Sequence, residues 1–180
     1  MRTLSLWFIC LFLTACDVVT LPEPAGGSAA TLSADTINGA WVDAEGDVFH
    51  LLVLAEPGTL QIGAVGEEDG VLGMDVKTIA ARSVGDRILV SALASGDDDD
   101  ELAKENPRYV WALLDLDDAQ ALLWLPDRDR LASLVEANEI PGEISEGDVH
   151  LGTLSEEHWQ RILDEGLFLW DEPVVLRRVD

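Results

Sequence analysis

The residues of this chain that could do chemistry are few and widely spaced. His50, His150 and His158 are its three histidines. Ser-His-Asp catalysis needs one of them beside an activated serine. No G-x-S-x-G occurs, and the serines stand in contexts such as Gly27-Ser28-Ala29 and Ala94-Ser95-Gly96. His150 and His158 are eight residues apart with a loop between them, a spacing that matches no zinc motif. His158 falls near Glu157 and Arg161, which reads as a solvated helix surface. Asp97, Asp98, Asp99, Asp100 and Glu101 offer carboxylate oxygens to a hard cation such as calcium. Successive carboxylates on a loop mostly point apart, and the D-x-D-x-D-G spacing is missing, so the run reads as a solvated loop between Ala94 and Arg108. Neither G-x-G-x-x-G nor G-x-x-x-x-G-K-[ST] is present, so nucleotide cofactors lack support. With 35 acidic residues, carboxylate pairs at glycosidase distances arise by chance. Trp41, Trp111, Trp124, Trp159 and Trp170 could line a ligand cavity or a sugar-stacking face, and ordinary cores are also built on such rings. The expectation is therefore no catalytic, cofactor-binding or metal-ligating residue, and no cofactor.

What must position these residues is bounded by composition. The chain has 180 residues, 48% of them hydrophobic and 26% charged, the balance of one globular domain. Lys and Arg total 11 against 35 Asp and Glu, a formal charge of −24. Nucleic-acid binding draws its affinity from Lys and Arg neutralising phosphates, so it is not expected. Arg177 and Arg178 stand out in so acidic a chain. Along a strand they face opposite sides, one to pair with acids at a sheet edge and one to face solvent.

The amino terminus reads as a targeting segment rather than part of the fold. Arg2 precedes an apolar stretch, Leu4-Ser5-Leu6-Trp7-Phe8-Ile9-Cys10-Leu11-Phe12-Leu13. As a helix it would rise only about 15 Å, half a bilayer core. Leu13-Thr14-Ala15-Cys16 follows. This sequence resembles the lipobox of bacterial lipoproteins. The resemblance implies that residues 1–15 are a signal peptide and that Cys16 receives a diacylglycerol and heads the mature chain. It implies a membrane anchor at Cys16 and a cell-envelope location facing the periplasm. Asp17 leans that location toward the inner membrane. The rival readings are an ordinary secretory signal with an accidental Cys16, or a retained membrane segment. Cys10 leaves with the signal, so the folded domain is expected to hold no thiol or disulfide.

Residues 16–36 read as the lipidated cysteine and a flexible tether, because Pro22, Pro24, Gly26, Gly27 and Ser28 break any periodicity. Residues 37–180 read as a single β-rich domain. Strands are expected at 40–44, 47–55, 59–66, 71–83, 86–94, 108–115, 119–125, 148–151 and 174–179, with acidic-glycine turns between the early ones. Val110, Ala112, Leu114 and Leu116 alternate with Tyr109, Trp111, Leu113 and Asp115, which suggests a strand with two apolar faces. Phe49, Leu51 and Val53 oppose Val48, His50, Leu52 and Leu54 in the same way. Two helices are expected late in the chain, at 127–137 and 155–165, capped by Asp127 and Ser155. The run Leu167-Phe168-Leu169-Trp170 fits no element. The fold class is mainly β: an antiparallel barrel of about eight strands, or a sandwich.

Gly39-Ala40-Trp41 opens the first expected strand of that domain. It resembles the G-x-W that begins the first strand of lipocalins, in which the Trp plugs the closed end of the barrel. The T-D-Y loop signature of that family is absent from this chain. The resemblance implies a carrier of a small apolar or amphipathic ligand, acting by binding rather than catalysis. Two alternatives come from charge and address. One is an acidic lipoprotein that binds or inhibits a basic envelope protein. The other is a structural envelope lipoprotein.

Overall fold

The computed structural model describes residues 18–68, 71–94 and 106–179. Cys16, Asp17 and the acidic run at 97–101 lie outside the described residues. Seven strands follow one another as a meander: β3 (Gly39–Val42), β4 (Val48–Val53), β5 (Thr59–Glu68), β6 (Val71–Val84), β7 (Arg87–Leu93), β8 (Tyr109–Leu116) and β9 (Gln120–Trp124). Each pairs antiparallel with the next. The last strand, β12 (Val174–Arg178), pairs with both β9 and β3. That pairing closes an eight-stranded antiparallel barrel, and closure removes the bare edges an open sheet would leave.

The acidic-glycine breaks make the turns. In the β3–β4 turn one oxygen of Asp43 accepts from the backbone N–H of Glu45, Gly46 and Asp47, each at 2.9 Å. Asp117 does the same for Ala119 and Gln120 between β8 and β9. Such side-chain acceptors let a tight turn satisfy donors the ladder cannot reach. Gly58 ends the β4–β5 turn at φ +68°, and a Cβ there would sit 2.5 Å from the Ala81 carbonyl, so no other residue fits.

The two-residue period sorts side chains between inside and outside. Val110, Ala112 and Leu114 of β8 point into the barrel, while Trp111 and Leu113 point out into a second core. Both faces of β8 are covered, as its sequence predicts. On β4 the same pattern has a different outcome. Phe49 is buried inside, but Val48 and Leu52 on the outer face stand about half exposed.

The amino-terminal segment departs from expectation. Residues 18–36 are built into the domain instead of forming a tether. β1 (Val19–Leu21) is fully buried and inserts between β8 and β11 (Asp148–Leu151), antiparallel to the first and parallel to the second. β2 (Ser28–Ala29) pairs with β6, and a short helix α1 (Ala34–Ile37) follows. The Pro and Gly residues mark corners of a chain that wraps the barrel, which local periodicity cannot reveal. The described residues thus hold this early helix in addition to the two expected late in the chain.

The second core lies outside the barrel wall. The expected late helices, α2 (Arg128–Glu136) and α3 (Glu156–Asp164), form with Asp127 and Ser155 as caps. Their buried residues, Leu131, Ala132, Val135, Trp159 and Ile162, pack with Leu89, Trp111 and Leu113 of the barrel. β10 (Gly142–Ser145) edges this layer beside β11. The unassigned apolar run finds its place here, with Leu167 and Phe168 buried and Phe168 bridged to Pro126. Arg161 binds Glu165 at 2.7 Å and also Glu139, fastening α3 to the loop after α2.

Candidate functional site

The barrel interior is the candidate site. One end is closed. There the buried Ile37 of α1 lines the cavity, and Ala30, Leu60 and Ala81 form a packed cluster. Trp41 is wholly buried, and its indole Nε1 donates to the Ile37 carbonyl at 2.8 Å. Arg178 holds the same turn from the opposite strand. Its guanidinium donates to the carbonyls of Asp35, Thr36 and Asn38 at 2.9, 3.1 and 3.0 Å. The expected pairing of this arginine with acids gives way to backbone carbonyls, because a helix end leaves carbonyls that need donors. Arg177 points outward and is exposed.

Above this floor is a cavity of about 200 Å³. Its walls are apolar, with Leu51, Ile62, Ile79, Val90, Ala112 and Leu123 from six different strands. Asp75 and Lys77 are the charged side chains among the described residues that line it. Both sit on the inner face of β6 at the end that is open among the described residues, each 43% exposed, with 3.9 Å between ammonium and carboxylate. Leu93 and Ala94, at the end of β7, complete that side of the mouth. From Asp75 down to Ile79, the deepest residue of β6 on the wall, is four residues. At about 3.3 Å per residue and a strand tilt of about 40°, that makes the space roughly 10 Å deep. The sequence reading passed over Asp75 and Lys77. The signal was available: they share the alternate positions of Ile79 and Ala81.

The residues singled out for chemistry stay apart. His50 is exposed on the outer face of β4. His150 bonds Thr20 at 2.8 Å, joining β11 to β1. His158 closes a capping box: Ser155 Oγ accepts from its backbone N–H, and its Nδ1 accepts from the Ser155 N–H at 3.1 Å. No group of three potential metal ligands occurs among the described residues. The tryptophans also divide. Trp41 packs at the barrel floor. Trp111 stands edge-on to Trp159 and Phe168, with ring centres 5.3 and 5.7 Å apart. Trp124 and Trp170 extend that cluster to the surface, where Trp170 is 44% exposed. The indoles therefore build cores, and of the five only Trp111 borders the cavity.

No helix among the described residues is long and apolar enough to cross a membrane. Comparison of the chain with family models, curated proteins and solved structures gives no match.

Proposed function

We propose that this is a lipid-anchored binding protein of the cell envelope that carries a small apolar or amphipathic ligand inside its barrel. The observation that carries the reading is the apolar cavity, floored at one end and, among the described residues, open at the other. Apolar cavities of about 150 Å³ stay dry and take up small apolar molecules. This one is somewhat larger and lies below the roughly 300–1,000 Å³ of drug-sized sites, so it suits one alkyl chain or one small ring. Cys16 in its lipobox supports the anchor, with the carrier facing the periplasm. Two or three acyl chains give stable attachment where one would not.

Native mass spectrometry of the protein purified from its own envelope tests both parts. The expected spectrum shows an acylated Cys16 and a non-covalent small molecule released on activation. A chain that begins at another residue without lipid removes the anchor. An empty protein that also fails to take up N-phenylnaphthylamine removes the carrier.

A further inference from the structure

The polarity of β6 is inverted at the mouth. A barrel strand facing water is ordinarily apolar inside and polar outside. Here the inward positions hold Asp75 and Lys77, and the outward positions between and beside them hold Met74 and Val76, 63% and 47% exposed. Lys77 is one of only two lysines in the whole chain, set among 35 acids. Stability does not account for the placement. A half-exposed ion pair with a 3.9 Å separation contributes little.

We propose that Asp75 and Lys77 read the headgroup of the bound molecule, and that this molecule is a single-chain amphiphile with a zwitterionic headgroup. The proposal rests on the carrier reading of the cavity. An alkyl chain lying along Ile79, Ile62 and Leu123 brings its head to the level of the pair. An anionic head there meets the ammonium of Lys77 but also the carboxylate of Asp75 beside it. A cationic head meets the reverse conflict. A neutral head leaves both unaddressed. A head with both charges complements both, which is selection by attraction and by repulsion together.

Four probes with one eight-carbon chain test it on the full-length protein, below their micellar concentrations, by displacement of N-phenylnaphthylamine. They are an octyl betaine, octanoate, octyltrimethylammonium and octanol. The betaine is expected to bind about fivefold tighter than each of the others, the scale of partly exposed charge pairs. Asp75→Asn should erase its margin over octanoate, and Lys77→Gln its margin over the cation. Both positions are half exposed, so both variants should melt with the parent. Equal binding of all four probes, or preferences unchanged in the variants, overturns the headgroup proposal and leaves the carrier reading intact. Failure of every probe to displace the dye overturns both.

Discussion

Arg178 and Trp41 are register partners across the β12–β3 ladder, and together they occupy four consecutive carbonyls, from Asp35 to Asn38. The seam that closes the barrel and the helix turn that floors it are therefore one structure. The residues share a network, so their effects should not add. Trp41→Ala should cost about 3–5 kcal/mol of stability. Arg178→Met should cost about 1.5–3 kcal/mol, the scale of hydrogen bonds to a charged group. Chemical denaturation of both single variants and the double variant checks this, and strict additivity would mean that the two act independently.

Trp111 supplies the contrast. Its Nε1 is buried without a hydrogen-bond partner among the described residues, although rings stand edge-on around it. Trp41 Nε1 satisfies the buried Ile37 carbonyl. Exchange of either for Phe removes a similar volume, but only Trp41→Phe strands an acceptor. Trp41→Phe should therefore be the more costly by about 1–3 kcal/mol. The difference in denaturation midpoints measures it.

Deletions at the amino terminus should divide sharply. Removal of residues 1–17 leaves every described contact in place and should not change the melting temperature of the soluble domain. Removal of residues 1–30 strips Val19, Leu21 and Ala25 from the outer core and the Thr20 bond to His150. Three buried apolar side chains of this size represent several kcal/mol. The shorter chain should lose its cooperative transition in differential scanning calorimetry. A true tether would have made the two deletions equivalent.

The cavity can be filled from its wall. Ala112 is buried on the inner face of β8. Leucine there should occupy the space a ligand needs, weakening N-phenylnaphthylamine binding at least about tenfold. Because the space is open, the usual overpacking cost of about 1–3 kcal/mol should be reduced. Unchanged dye affinity would place the dye elsewhere.

Cys16→Ser should abolish lipidation and release the protein from the membrane fraction. Incorporation of labelled palmitate, followed by fractionation, reads both effects. Membrane retention without label would point to a retained apolar segment instead.

The barrel was legible because its information is local. Alternation in β8, the acidic-glycine turns and the caps Asp127 and Ser155 each lie within a few residues of what they determine. What was missed depends on distant partners. β1 has three residues, and its place is set by strands at Val149 and Val110. β10 has four exposed residues and no apolar face to betray it. The Asp75–Lys77 pair was missed because a sequence does not say which of two alternating faces is inside until the barrel closes.

That closure has a consequence for the order in which the molecule can be made. A chain synthesised from its amino terminus presents β1 and β3 first. One partner of each, near residues 149 and 178, comes late. The meander from β3 to β9 can zip up as it emerges, but until β12 arrives it remains a curved sheet with a naked edge and an unroofed apolar face. Pairing over such separations is slow and leaves that edge open to other chains. The final third of this protein acts on the rest of it as a clasp, and the interval before it fastens is when the nascent chain most needs a chaperone.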